Sequence, residues 1–187
     1  MVQYNLEPEI FSFKVLSLFD EAVKRYGNKE GKPFLVHLKL DTGMHRLGFE
    51  EQELNELIVR IKNNKQIQVQ SVFSHLAASD EVEHDEFTRL QIKRFMEMSD
   101  KLKPHFDYPF LRHILNSAGI VRFPDAQFEM VRLGIGMYGV AHNLQEQGRL
   151  EHVSTLKTTI SQIKQIKAGD SIGYSRKGRT EKDITIA

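Results

Sequence analysis

The chain has 187 residues, of which 40% are hydrophobic and 27% are charged, a mix typical of a globular protein with one core and part of another. Its 26 basic and 25 acidic residues give a formal net charge of +1, so no overall field attracts nucleic acid or a membrane surface. The absence of cysteine excludes a disulfide scaffold and a thiolate zinc site.

The sequence also lacks targeting segments and metal-binding histidine motifs. No apolar run approaches the roughly 20 residues of a membrane span, and residues 1–10 lack the pattern of a signal peptide, so the expected location is the cytoplasm. The eight histidines lack HxH or HExxH spacing, and we therefore expect no catalytic metal.

Strand and helix patterns alternate through the first 140 residues. Residues 2–10 fit the end of a strand, and residues 12–26 have helical spacing. Strands are predicted at residues 34–41, 67–76 and 110–115, and a fourth within residues 128–140. Helices are predicted at residues 49–62 and 83–103, with a short helical turn at 120–123. The long helix should bury one stripe, which consists of Phe87, Leu90, Phe95, Met98 and Leu102.

Strands separated by helices of this length indicate parallel βαβ units, in either a doubly wound sheet or part of a (β/α)8 barrel. Residues 34–41 (FLVHLKLD) favour the barrel. Val36, Leu38 and Leu40 would face the outer helices, whereas His37, Lys39 and Asp41 would face a polar lumen. A partly solvated edge strand is the alternative reading.

The pattern changes after residue 144. Residues 143–148 are polar and turn-like, and residues 153–167 alternate between apolar and polar side chains. We therefore predict an incomplete barrel over 1–144 and the start of a β-rich domain over 145–187. Because a complete barrel typically takes about 250 residues, both ends are expected to be cut from a longer protein.

Four short polar segments follow predicted strands, where α/β barrels place catalytic groups. They are residues 41–48 (DTGMHRLG), 74–76 (SHL), 116–119 (NSAG) and 132–135 (RLGI). The last two follow what would be the final barrel strands, whose loops often bind a phosphate through glycine amides and a hydroxyl. This placement predicts a ligand that carries a phosphate.

Four strings resemble segments of alanine racemases, in the same order: HLKLDTGMHRLGF, FSHLAASD, NSAGIVRFPDAQFEMVRLGIGMYGV and AGDSIGYSRKGRT. The resemblance implies two-base proton transfer on an aldimine of pyridoxal phosphate, which interconverts L- and D-alanine for peptidoglycan. It also implies a head-to-tail homodimer, in which each subunit has a barrel and a C-terminal β domain. The chain would cover about barrel strands 4–8. No string resembles the KANAYGHG-like motif of the cofactor lysine, so this chain alone should be inactive.

The same resemblance assigns the residues of proton transfer. Arg132 would hydrogen-bond the pyridine nitrogen, and because a guanidinium only donates, that nitrogen would stay unprotonated. Tyr174, supplied by the partner subunit, would be the base on one face of the α-carbon. His75 would link Tyr174 to Arg132. On pattern alone, a satisfied core histidine is the favoured reading of His75, and Tyr174 could be a surface aromatic of the β domain.

The remaining assignments concern binding. Arg46 would contact the substrate carboxylate and the phenolic oxygen of the cofactor. Lys39 would be carbamylated and paired with that arginine, unless it forms a plain ion pair with a nearby acid. Ser117, Gly134 and Ile135 would hold the phosphate.

Two other functions remain open. A barrel remnant without activity could serve as an assembly or interaction domain of a cell-wall protein, which would account for the missing lysine. A barrel-type pyridoxal decarboxylase would keep the cofactor, but such enzymes usually place a carboxylate at the pyridine nitrogen. Arg132 argues against this second option.

Overall fold

A computed structural model of the chain describes residues 1–27 and 31–187, which divide into two compact units. The first unit spans Met1–Val153 and the second spans Ser154–Ala187. None of the helices in the described residues is both long and apolar enough to cross a bilayer.

The described part of the first unit contains four strands and five α-helices, in an alternating α/β order that the sequence predicts. The strands are β1 (Glu9–Ile10), β2 (Phe34–Lys39), β3 (Ile67–Phe73) and β4 (Leu111–His113). The helices are α1 (Phe13–Tyr26), α2 (Leu54–Lys62), α3 (Asp85–Leu102), α4 (Ser117–Arg122) and α5 (Leu144–Gln147). Short 3-10 turns precede or follow several of these elements.

Helix α1 shows how local sequence sets a boundary. The Ser12 hydroxyl accepts a hydrogen bond from the amide of Val15 at 3.3 Å, which caps the first turn. The helix ends at Gly27, whose φ of +67° suits a residue without a side chain. Its apolar stripe of Leu16, Phe19 and Val23 is buried in the main core.

Helix α3 lies within the predicted segment, and three residues of the predicted stripe, Phe95, Met98 and Leu102, are buried. Phe87 and Leu90, expected in the core, are 37% and 41% exposed. The buried positions are Thr88, Gln91, Phe95, Met98, Ser99 and Leu102. The helix is turned toward Gln91 because its side chain makes hydrogen bonds with the loop after β3, while the Phe87 ring covers Gly43 instead.

The four strands form one parallel sheet in the order β1-β2-β3-β4. Its register shifts between Val36, which pairs with Val69, and His37, which pairs with Ser71. The extra residue in β3 is therefore Gln70, which makes a β-bulge. Beyond the bulge, β3 side chains exchange faces, so that Ser71 lies beside His37 on the polar face.

Segment 128–140, predicted to contain a strand, contains none, and this prediction was wrong. Only two backbone hydrogen bonds tie it to the segment of β4, from Met130 to Arg112 at 3.3 Å and from Arg132 to Leu115 at 3.0 Å. A 3-10 helix over Ile135–Tyr138 follows. The chain bends there because the amides of the glycine-rich loop bind a side chain rather than a neighbouring strand.

The second unit is a set of short antiparallel strands. Strand β5 (Lys164–Ile166) pairs with β8 (Ile184–Ile186), and β6 (Ser171–Ile172) pairs with β7 (Gly178–Arg179). Most of the alternating segment 153–167 is not a strand, and Leu156 is fully exposed.

The boundary between the units lies nine residues beyond the predicted domain boundary at 144/145. The residues in between include helix α5, which the Asn143 side chain caps by accepting from the amide of Glu146. Gln147 donates to the carbonyl oxygen of Gly139 and accepts from the amide of Ala141. These bonds fasten α5 to the first unit.

Candidate active site

The loop after β2 is closed by Asp41, which begins the first of the four polar segments. Its Oδ1 accepts hydrogen bonds from the amides of Gly43, Met44 and His45, at 2.8, 3.0 and 3.1 Å. Asp41 therefore organises the turn that leads to Arg46, whose side chain is exposed. Short Asx-type turns of this kind orient a loop without secondary structure.

Two buried hydroxyls join this loop to the end of β3. Oγ1 of Thr42 lies 2.8 Å from Oγ of Ser74, and both residues are 2% exposed. Because the Ser74 hydroxyl donates to the carbonyl oxygen of Leu40, the Thr42 hydroxyl is the donor in the pair. The two strand ends that precede Arg46 and His75 are thus cross-linked.

Arg132 is held at the centre of the site by its two terminal nitrogens. Nη2 donates to the carbonyl oxygen of Ser74 at 2.7 Å, lies 3.2 Å from Nδ1 of His75 and lies 3.3 Å from the carbonyl oxygen of Ile114. Nη1 contacts Nδ1 of His113 at 2.5 Å and its carbonyl oxygen at 3.3 Å. Within 1–27 and 31–187, no acceptor hydrogen-bonds Nε of this arginine.

His75 lies among three cationic side chains. Burial lowers the pKa of the His75 imidazole, and the charges of Arg132, Lys39 and Arg46 lower it further. The ring is therefore neutral at pH 7. Because a guanidinium can only donate, Nδ1 of His75 is the acceptor toward Arg132, and its proton resides on Nε2.

Lys39 and Arg132 both lie over the ring of Phe73. The distances to the ring centroid are 5.6 Å from Nζ of Lys39 and 5.3 Å from Cζ of Arg132. On β4, the His113 ring stacks on Phe73 with centroids 5.0 Å apart and an interplanar angle of 5°. Lys39 is 8% exposed, and among the described residues no carboxylate pairs with it.

The sequence analysis missed His113. It is 4% exposed, and burial lowers the pKa of its imidazole to about 3, with smaller contributions from Arg132 and His37. A histidine in the predicted strand that precedes Asn116 and Ser117 was the signal available in the sequence.

Ser117 joins the third and fourth polar segments. Its Oγ accepts hydrogen bonds from the amides of Gly134 at 2.9 Å and Gly136 at 3.1 Å. With two amides donating to the oxygen, the hydroxyl proton is left to donate elsewhere. Asn116 Oδ1 caps α4 at the amide of Gly119, and Ile135 is exposed.

The first unit thus holds every predicted site residue except Tyr174. His75, Arg132, Lys39 and Arg46 share one neighbourhood, and Ser117 touches Gly134. Tyr174 begins a 3-10 turn in the second unit and is 98% exposed. In the predicted series Tyr174–His75–Arg132, only the step from His75 to Arg132 lies within one unit.

The combination is suited to an anionic ligand. Among residues 1–27 and 31–187, no carboxylate pairs with Lys39 or Arg46, no acceptor binds Nε–H of Arg132, and the Ser117 hydroxyl proton is free to donate. The described residues contain no cluster of three or more histidine, aspartate or glutamate side chains that could hold a metal ion.

Comparison with known proteins agrees with this chemistry. Residues 1–142 match the family described as "Alanine racemase, N-terminal domain". The chain is 35% identical to an alanine racemase of Clostridium tetani over 190 aligned positions, which cover all of this chain and 48% of that protein.

Solved structures give the same result. An alanine racemase from Streptomyces coelicolor superposes with a TM-score of 0.78 and 29% identity, covering 98% of this chain and 49% of that one. One from Bartonella henselae, described as carrying covalently bound pyridoxal phosphate, has a TM-score of 0.67 and 25% identity, with 98% and 48% covered. The chain spans about half the length of these relatives. It belongs to the alanine racemase family.

Proposed function

We propose that this chain is part of a pyridoxal-phosphate racemase that interconverts L- and D-alanine. The observation that carries the proposal is the state of Arg132. Protein acceptors occupy both of its terminal nitrogens, which leaves Nε–H to donate to a ligand. A permanent donor suits a pyridine nitrogen that must stay unprotonated. When bound, pyridoxal phosphate would accept the electron pair that the α-carbon keeps when its proton is removed.

His75 and Tyr174 would carry out the proton transfer on one face of the α-carbon. Nδ1 of His75 accepts from Arg132, so its Nε2–H is free to donate to a phenolic oxygen. Such a bond stabilises a phenolate and makes Tyr174 a better base. We propose that Tyr174 comes from a second copy, in a homodimer. The base on the opposite face would be the cofactor lysine.

Arg46 would bind the substrate carboxylate, and carbamylated Lys39 would pair with Arg46 and orient it. Both lie close enough to His75 for their charges to lower its pKa. Lys39 is buried without an anionic partner among the described side chains. Such a buried, unpaired cation is unfavourable. A carbamate on Nζ of Lys39 would replace this cation with an anion that pairs with Arg46.

The phosphate would bind between Ser117 and the loop of Gly134 and Ile135. The oxygen of the Ser117 hydroxyl accepts hydrogen bonds from two backbone amides, so the hydroxyl proton is available to donate to a phosphate oxygen. A Cβ on Gly134 would lie 3.6 Å from that hydroxyl, in van der Waals contact with it, so Gly134 borders the same space.

We further propose that the chain corresponds to about strands 4–8 of the barrel and the start of the β domain, as part of a cytoplasmic enzyme that supplies D-alanine for peptidoglycan. No segment resembles the KANAYGHG-like motif of the cofactor lysine. We therefore expect the 187 residues alone not to racemise alanine.

The test uses the longest natural protein that contains this chain. Incubated with pyridoxal phosphate and L-alanine in deuterated water, it should form D-alanine labelled at the α-carbon, as read by chiral chromatography and mass spectrometry. Tyr174→Phe should lower turnover at least about 100-fold, the scale of general acid–base catalysis. Tyr4→Phe, at an exposed position in the first unit, is the matched control. A protein that binds the cofactor but exchanges no α-proton would refute the proposal.

A further inference from the structure

A line of hydrogen bonds leads from Arg132 across the polar face of the sheet to the surface. Nη1 of Arg132 contacts Nδ1 of His113 at 2.5 Å, and Nε2 of His113 lies 3.0 Å from Oγ of Ser71. The same Oγ lies 2.6 Å from Nδ1 of His37, whose Nε2 lies 2.9 Å from Oε2 of Glu7. Each member comes from a different segment of the chain.

We propose that these groups form a one-way chain of hydrogen bonds in which Glu7, His37, Ser71 and His113 are positioning residues that fix the guanidinium of Arg132. The inference rests on the proposed function only for the ligand that Arg132 would bind. The hydrogen-bond chain itself is a property of the first unit.

The two ends determine the direction of every bond. A guanidinium only donates, so Nδ1 of His113 must be the acceptor. The neutral His113 ring then carries its proton on Nε2 and donates it to Ser71. Burial supports this protonation state, since it lowers the pKa of His113 to about 3.

The second half follows in the same way. Ser71 Oγ accepts from His113, and the other group bonded to it among the described residues is Nδ1 of His37. If the hydroxyl accepted from both rings, its own buried proton would have no acceptor, so that proton goes to Nδ1 of His37, which is unprotonated. His37 is then neutral, with its proton on Nε2, and donates to the carboxylate of Glu7. A carboxylate only accepts, so the chain ends there without conflict.

The opposite direction is excluded by one contact. If His37 were doubly protonated, it would donate from Nδ1 to Ser71, and among the described residues the hydroxyl proton would then have only Nε2 of His113 as an acceptor. His113 would carry its proton on Nδ1 and meet an N–H of Arg132 at 2.5 Å. Two donors cannot occupy that distance, so the guanidinium would have to move.

Burial explains why the link at Ser71 matters. Ser71 is fully buried and His113 is 4% exposed, so water cannot replace a lost partner at low cost. Removing the hydroxyl of Ser71 would take away the acceptor of the His113 Nε2 proton and the donor to Nδ1 of His37. The contact between His113 and Arg132 would weaken as a result.

The experiment reads the histidine rings directly. The 187-residue chain, labelled with ¹⁵N in histidine and arginine, is observed by long-range ¹H–¹⁵N correlation at pH 7 without cofactor, and His37→Gln and His113→Gln provide the assignments. We expect both rings to be neutral with the proton on Nε2. In Ser71→Ala, the ring ¹⁵N signals of both should shift, and exchange of the Arg132 Nη1 protons, which bond to His113, should quicken about tenfold.

Two further variants separate the chain of bonds from general destabilisation. Ser71→Thr keeps the hydroxyl and should restore the ring signals. Ser99→Ala removes an equally buried hydroxyl, which bonds to the carbonyl oxygen of Met96, and should change neither ring. A proton on Nδ1 of His113, or rings unmoved in a folded Ser71→Ala chain, would overturn the inference. Because the experiment measures no racemisation, its result does not depend on whether the proposed function is correct.

Discussion

The side-chain amide of Gln91 donates to the carbonyl oxygen of His75 at 3.2 Å and, through its Oε1, accepts from the amide of Ala77 at 2.9 Å. Gln91 is fully buried on α3, so one side chain binds the peptide groups on both sides of Leu76. The backbone around His75 is therefore held in place by hydrogen bonds to a side chain of helix α3.

Replacing Gln91 with leucine should destabilise the chain by about 1–3 kcal/mol. The substitution keeps the volume near that of glutamine but leaves the carbonyl of His75 and the amide of Ala77 without their partner. Urea denaturation measures the change. Gln66→Leu, at an exposed position, is the control and should stay within about 0.5 kcal/mol. Equal losses in the two variants would show that the bonds to the loop contribute nothing.

The neutral His113 should make the fold sensitive to acid. Its pKa of about 3 lies below the ordinary value of 6.5, so between these pH values the unfolded chain binds a proton that the folded chain does not. Stability is then full above about pH 6.5 and falls as the pH drops toward 3, by up to about 1.4 kcal/mol per pH unit.

His113→Gln should flatten this dependence, because glutamine does not titrate. Urea denaturation at a series of pH values between 7 and 4 gives the slope. His105→Gln removes an exposed imidazole and serves as the control. If the slope of His113→Gln equals that of the unaltered chain, the protonation state assigned to His113 is incorrect.

Gly48 should not tolerate a side chain. Its φ is +135°, and a Cβ there would lie 2.5 Å from the backbone nitrogen of Asp41, where the loop that carries Arg46 closes on itself. We expect Gly48→Ala to lower the free energy of unfolding by at least about 2 kcal/mol. Gly27→Ala has a positive φ but open space, so it measures the backbone cost alone, about 1 kcal/mol. Similar losses at both positions would mean that the close approach to Asp41 is absent.

Ser117 should protect the amides of the glycine-rich loop. In Ser117→Ala, the amides of Gly134 and Gly136 lose their acceptor, and their hydrogen exchange should quicken about tenfold, as for the loss of a hydrogen bond of about 1.4 kcal/mol. Exchange is followed residue by residue by NMR. Ser99→Ala leaves this loop untouched and should not alter either rate. Unchanged rates in Ser117→Ala would show that another group holds the loop.

Local sequence determined the order of elements and several boundaries of this protein. The helical spacing of residues 12–26 and the parallel α/β pattern depend on residues close together in the chain, and the structure has a helix over Phe13–Tyr26 and a parallel sheet as predicted. The polar segments at the strand ends could likewise be found without coordinates. They follow from where parallel strands terminate.

Tertiary structure decided which side chains meet. The bulge at Gln70 places Ser71 beside His37, because one extra residue exchanges the faces of a strand whose side chains alternate with period two. Helix α3 turned its polar Gln91 inward because that residue finds partners in the loop of His75, which hydrophobic spacing cannot reveal. The pairing of His113 with Arg132 depends on contacts between residues 19 apart in sequence, and only the folded sheet brings them together.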